Sequence, residues 1–196
     1  MGQPVEMRDI YTALFNHSMQ GDPDCGGLLT YNYIAGEHAT GLTEGRPLFL
    51  RSPGDRFDLA NFMKAQLYAA VCVLKAGNEV LFKEEGVKVD RITGHGGLFK
   101  TPVVGQKVLA AALGSPISVM ETAGEGGPWG MAILASYGAF NDEKLSLPDF
   151  LEKKVFAGSS GSEITPDPED IEGFNSWIEK YMACIPVEKA AVEYKK

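Results

Sequence analysis

Val89-Asp90-Arg91-Ile92-Thr93-Gly94-His95-Gly96-Gly97-Leu98-Phe99-Lys100-Thr101 is the stretch that decides the fold. A strand-like run, Val87 to Thr93, ends in a glycine cluster, and an apolar-periodic helix begins near Thr101-Pro102 and runs through Leu113 to Gly114. Strand, glycine turn and helix in that order set a loop at the C-terminal edge of a sheet, where open α/β sheets bind ligands. Glycines let a backbone approach a phosphate, and the free N–H groups of a helix's first turn favour an anion. The stretch is not a Walker A loop, because Phe99 stands where a glycine must precede Lys100. Phe99 also occupies the third-glycine position of the dinucleotide fingerprint. Taken alone, the stretch supports two readings: a loop held against a nucleotide, or a tight strand-to-helix turn with no ligand.

A second unit of the same kind follows. Ser115-Pro116 leads into a short apolar strand, Ile117 to Met120, then the glycine-rich Glu121-Thr122-Ala123-Gly124-Glu125-Gly126-Gly127-Pro128-Trp129-Gly130. A helix of small residues runs from Met131 to Phe140, and Gly130, Ala132, Ala135 and Ser136 allow it to pack closely on a neighbour. Two such units in succession predict a right-handed βαβα layer with both loops on one edge.

Upstream, residues 5 to 19 carry Ile10, Leu14, Phe15 and Met19 near helical spacing, and Gly21-Asp22-Pro23-Asp24 breaks the run. Gly26 to Ala35 reads as a strand, Gly36 to Arg46 as a loop, and Pro47 to Arg51 as a short extended segment. The strongest helix starts near Asp55, with Leu59, Met63, Leu67, Val71 and Leu74 forming a wide apolar stripe. Gly77 marks an interruption, a second helical piece reaches Glu85, and Gly86 stops it. Downstream, Leu147 to Val155 reads as a short helix and Ala157 to Ser162 as a flexible turn. Thr165-Pro166-Asp167-Pro168-Glu169 starts a last helix carrying Ile171, Phe174, Ile178 and Tyr181, with a frayed, charged end.

The chain of 196 residues is long enough for one substantial core, and its formal net charge of -8 argues against a nucleic-acid or anionic-membrane surface. Phosphate binding by backbone N–H groups is compatible with that charge. Cys25, Cys72 and Cys184 are scattered without metal spacing and read as reduced thiols of a cytoplasmic protein. No apolar run is long enough to span a bilayer, and the start carries no signal-peptide pattern.

No serine, histidine and acid form a triad motif. His17 reads as a surface or packed helix residue and His38 as a turn residue. His95, inside the glycine loop, suits contact with a ligand but reads first as backbone-positioning. Lys100 suits a phosphate as well as a solvated helix start. Glu125, between glycines, suits a ribose or a metal-bound water as well as solvent.

The order of these motifs resembles the C-terminal domain of the FGGY family of carbohydrate kinases, which includes xylulokinases, ribulokinases, gluconokinases and glycerol kinases. The resemblance rests on Gly26-Gly27-Leu28-Leu29, Gly36-Glu37-His38 and Gly45-Arg46-Pro47, then the long helix and Gly94-His95-Gly96-Gly97. It continues in Leu109-Ala110-Ala111-Ala112-Leu113-Gly114-Ser115-Pro116-Ile117 and Gly130-Met131-Ala132-Ile133-Leu134-Ala135. It covers about residues 22 to 140, and the Pro-Asp-Pro-Glu segment followed by a helix is similar to the ribulokinase-like branch. It implies an α/β, ribonuclease H-like domain of the actin, sugar-kinase and chaperone ATPase superfamily. Two such domains close around Mg-ATP and a sugar, and the C-terminal one supplies most of the adenine and ribose pocket. Gly96 and Gly97 match the family's nucleotide-approaching pair, and Gly130 to Ala132 its second small-residue motif.

The nucleotide-binding set expected from this resemblance is Gly94, Gly96, Gly97, Lys100, Gln106 and Glu125, with ATP and Mg2+ as cofactors and no metal ligand in the chain. The family's catalytic aspartate, its phosphate loop and most of its sugar pocket lie upstream, and residues 1 to 25 offer no match for them. The expectation is therefore a single C-terminal nucleotide-binding domain over residues 1–196, with a core at about 22–140 and a helical tail at 147–196. It would be a fragment or one product of a split enzyme, and inactive alone. Its expected partners are ATP, a small sugar and an N-terminal kinase domain, with self-association into a homodimer as a further possibility.

Overall fold

The computed structural model describes residues 5–89, 92–121, 123–158 and 160–194. Asp90 and Arg91 of the expected strand, Thr122 of the second glycine loop and Ser159 of the expected turn lie outside the described residues, as does the side chain of Glu125.

Helix α1 (Met7–Ser18) packs its C-terminal half on α2 (Leu59–Glu79). Asp58 caps α2 by accepting from the Asn61 N–H at 2.9 Å, which fixes its start. Gly77 does not interrupt the helix. The apolar stripe around it outweighs the roughly 1 kcal/mol that a mid-helix glycine costs. The chain runs on into a π-helical turn, Val80–Glu84, and stops at Gly86.

The expected strand from Gly26 to Ala35 shrinks to β1 (Leu29–Tyr31), which pairs antiparallel with β4 (Leu48–Leu50). Asp24 accepts from the Gly26 N–H at 3.1 Å and curls the preceding residues into a 3-10 turn. The expected loop from Gly36 to Arg46 is instead a hairpin of β2 (Ala35–Glu37) and β3 (Leu42–Glu44), closed by a 3-10 turn, His38–Thr40. Its strands carry no apolar alternation, so the pattern hides the pairing.

The sheet that matters for the site is β5 (Ile92–Gly94), β6 (Ile117–Met120) and β7 (Gly161–Ile164). Strand β5 pairs parallel with β6 in the register Ile92↔Ile117 and Gly94↔Val119, with α3 (Val104–Leu113) as the crossover. The parallel pairing puts the loops after β5 and β6 on one edge, as expected. Strand β7 lies antiparallel on β6 and takes the last two residues of the expected 157–162 turn. Its Gly/Ser composition masks a pairing made by backbone and by a staple from α3. Buried Gln106 donates from Nε2 to the carbonyls of Ile117 (2.9 Å) and Ser162 (3.1 Å), and Ser162 Oγ donates to Gln106 Oε1 (3.1 Å).

Helix α4 (Gly126–Phe140) and the short α5 (Leu147–Phe150) follow β6. Helix α6 (Pro168–Ala183) starts where predicted, with Asp167 accepting from the Glu169 N–H at 2.9 Å and proline in the first turn. The expected frayed end is a further helix, α7 (Ile185–Tyr194), which buries Ile185, Glu188 and Val192. The deepest side chains join β1, α2, α3 and α6: Tyr31, Tyr68, Val104, Val108, Phe174, Trp177 and Tyr181. Trp177 and Tyr181 ring centroids are 5.0 Å apart, and Tyr31 and Tyr181 are 4.4 Å apart. Their polar atoms are satisfied inside: Trp177 Nε1 donates to the Leu28 carbonyl at 2.8 Å and Tyr31 Oη to the Tyr181 carbonyl at 2.6 Å.

Candidate functional site

The loop after β5 is built by its glycines. A Cβ on Gly94 would sit 2.1 Å from Phe99 Cζ, so glycine there lets the Phe99 ring fold back over the end of the strand. Gly96 adopts φ 107° and ψ -171°, a conformation that side chains rarely allow. Its N–H donates to the Ala123 carbonyl at 2.7 Å and its carbonyl accepts from the Phe99 N–H at 3.1 Å. The first bond ties the two glycine-rich loops together across the sheet edge. Among the described residues nothing lies within 4 Å of a Cβ placed on Gly96 or Gly97, so that side of their backbone is open, while Gly126 lies against the other, a Cβ there being 3.4 Å from Gly96 N. That opening fits a ligand that approaches backbone. It does not fit phosphate capture by the Gly96 N–H, which is already engaged.

The helix that was expected to begin near Thr101-Pro102 begins later. A 3-10 turn, Gly97–Lys100, follows the glycines, and α3 starts at Val104. Pro102 supplies no N–H, and Val103 is held at φ 73° in a tight turn closed by the Val104 N–H to the Pro102 carbonyl at 2.9 Å. The amides of α3 are thereby displaced from the glycines, so the loop does not open directly into a long helix's N-terminus.

Lys100 is brought to the second loop: a Cβ on Gly124 would lie 3.5 Å from Lys100 Cγ and 3.6 Å from Cε. Gly94, Gly96, Gly97 and Lys100 thus gather at one edge with Ala123 and Gly124. Gln106 belongs to the sheet staple, its amide engaged by Ile117 and Ser162. Glu125 ends the 3-10 turn Ala123–Glu125. Among the described residues no cluster of His, Cys, Asp and Glu could hold a metal ion.

Two clefts flank this edge. One of about 530 Å³ is walled by His95, Trp129, Met131, Leu134, Leu151 and Phe156. The other, of about 550 Å³, runs past Phe99, Thr101, Val103, Met120, Glu121 and Ser162. Both fall in the range of small-ligand sites, about 300–1,000 Å³. The contribution of α5 and the π-helical turn after it to the first cleft was not legible in sequence. The one available signal was that α4 carries no charged residue.

The comparisons agree with this geometry. Residues 5–139 match the FGGY family of carbohydrate kinases, C-terminal domain. No curated protein matches the chain in sequence. Among solved structures, xylulose kinase from Rhodospirillum rubrum superposes with a TM-score of 0.68 at 19% identity, over 94% of this chain and 35% of that one. A ligand-bound xylulose kinase from Lactobacillus acidophilus gives 0.71 at 15% identity, over 93% and 36%. Gluconate kinase from the same organism gives 0.67 at 15% identity, over 89% and 34%. The chain thus spans about a third of the length of these enzymes. Its fold is the ribonuclease H-like one of the sugar-kinase and actin ATPase superfamily. The chain belongs to the FGGY family of carbohydrate kinases, and it is their C-terminal domain that it matches.

Proposed function

We propose that this chain is the ATP-binding part of an ATP-dependent carbohydrate kinase that phosphorylates a ketopentose or a related sugar. The observation that carries the reading is the 2.7 Å bond from the Gly96 N–H to the Ala123 carbonyl. It joins two glycine-rich loops at the C-terminal edge of parallel strands and leaves their outer backbone face open. Gly96 and Gly97 would pass along the nucleoside, and Lys100, lying beside Gly124, would face the phosphates. Mg2+ would arrive with the nucleotide. The kinship with xylulose kinases supports a ketopentose acceptor, and a cytoplasmic location goes with that metabolism.

In the whole enzyme the sugar hydroxyl would attack the γ-phosphate, which requires base, metal and phosphate clamp to be positioned together. The base is expected on an N-terminal kinase domain, so this chain alone should not turn over. Helix α4 supports such a partner. It has no charged residue, and Met131, Leu134 and Phe140 are exposed by 69%, 53% and 74%. Met131 and Leu134 also wall the cleft of about 530 Å³, and an uncharged exposed helix of this kind fits a surface covered by a ligand or by another polypeptide. The same face favours a second reading, a non-catalytic nucleotide-binding or dimerisation module of the same fold.

Calorimetric titration with Mg-ADP and Mg-ATP tests the proposal. Binding that the Gly96→Val variant loses supports it. Binding that survives the substitution moves the site elsewhere. Sedimentation of the chain with and without an upstream kinase domain separates the two readings.

A further inference from the structure

The C-terminal helix α7 and the root of the β2–β3 hairpin share a buried, half-completed charge pair. Glu188 on α7 is fully buried. Its Oε1 accepts from the backbone N–H of Arg46, the residue that leads out of the hairpin toward β4, at 2.7 Å. Among the described residues its Oε2 is buried with no hydrogen-bond partner, and so is Nε of the same Arg46. An orphaned carboxylate oxygen and an orphaned guanidinium N–H are therefore carried by two residues already joined through a backbone bond, opposite in charge and complementary as acceptor and donor. Each costs free energy while unpaired, and more so in a water-free environment. Burial accordingly pushes the Glu188 carboxyl above its ordinary value, against the pull of the nearby Arg46 guanidinium.

The hairpin is also held by buried Leu42 and by its turn, His38–Thr40, which rests on α2. Glu37 accepts from the Ala39 N–H at 3.0 Å, which is internal to it. At its start, Tyr33 Oη accepts from Tyr181 Oη at 2.8 Å, while the adjoining Ile34 is 88% exposed. The C-terminal helices α6 and α7 thus hold the two roots, one through Tyr181 and the other through Glu188.

We infer that α7 is a clasp on the β2–β3 hairpin, with a closed arrangement in which Arg46 Nε–H donates to Glu188 Oε2 beside the existing backbone bond. Closing it converts the one-point tie between α7 and the exit of the hairpin into a two-point tie. The inference is independent of the nucleotide reading, because it concerns the opposite end of the chain and needs no ligand.

Hydrogen exchange of the full chain, followed by mass spectrometry over residues 35–46, tests it. Glu188→Ala removes both ties and should speed exchange there by about tenfold, with α2 and α3 unchanged. Glu188→Gln keeps an acceptor for the Arg46 N–H but no charge for the guanidinium, and Arg46→Lys keeps the charge but lacks Nε. Both should exchange faster than wild type and slower than Glu188→Ala. If Glu188→Gln and Arg46→Lys match wild type, there is no side-chain clasp and the proposal is overturned. If Glu188→Ala does not fold, these two conservative variants decide the question by themselves.

Discussion

The aromatic centre and the glycine edge of this domain are built on opposite rules. The rings of Trp177, Tyr181, Tyr31 and Tyr68 are buried, and the Tyr31, Tyr68 and Trp177 polar atoms end on backbone carbonyls. At the edge, Gly96 and Gly97 face open space, Val103 holds a strained conformation, and α4 buries none of its residues. One region is closed on itself and stabilises the fold. The other keeps backbone and apolar surface available, as the proposed nucleotide site and partner face would need.

That contrast can be broken most severely at the centre. Trp177→Ala removes a ring that touches three other aromatics and orphans the Leu28 carbonyl. It should cost about 3–5 kcal/mol, enough to unfold a marginal domain in chemical denaturation. A milder probe is alkaline pH. Burial pushes the Cys72 thiol from 9.0 up to about 11, partly offset by its hydrogen bond with Tyr181. The unfolded chain ionises this thiol near 9 and the folded chain only near 11, so stability contributed below pH 9 is lost as pH rises through that window. Cys72→Ala should flatten a loss of about 2–3 kcal/mol between pH 9 and 11 in denaturant melts. An unchanged slope would show that Cys72 is not the group responsible.

The edge should respond in the reverse sense, with little change in stability and a large change in association. Met131→Glu combined with Leu134→Glu places charge on exposed positions and should alter stability by no more than about 0.5 kcal/mol per site. The same pair should weaken assembly with an upstream kinase domain in a pull-down or by sedimentation. Equal assembly would mean that α4 is not the covered face.

The two regions also differ in how much their sequence disclosed. Helices α2, α3 and α6 were legible because an apolar stripe and a proline start are local signals, although α2 begins at Leu59 rather than near Asp55. The parallel β5–β6 edge was legible because glycines punctuate it twice. What escaped was made by partners distant in the chain. The β2–β3 hairpin has no alternation, β7 looks like a Gly/Ser turn until Gln106 and β6 pair with it, and α7 reads as charged although Glu188 is inside. At the glycine edge, the open backbone of Gly96 and Gly97 was legible from the glycine cluster itself. That the Gly96 amide is taken by Ala123, and that Gln106 serves the sheet, depended on three-dimensional placement that no spacing encodes.

The most direct measurement is calorimetry of Mg-ADP binding to the wild-type chain and to Gly96→Val, with melting curves of both. A valine at φ 107° costs about 1–3 kcal/mol of strain, so the variant should melt lower yet remain folded at 15 °C. The account predicts heat of binding for the wild type and at least a tenfold loss, about 1.4 kcal/mol or more, for the folded variant. Equal affinities in the two folded proteins would contradict it and place the nucleotide away from the glycine edge.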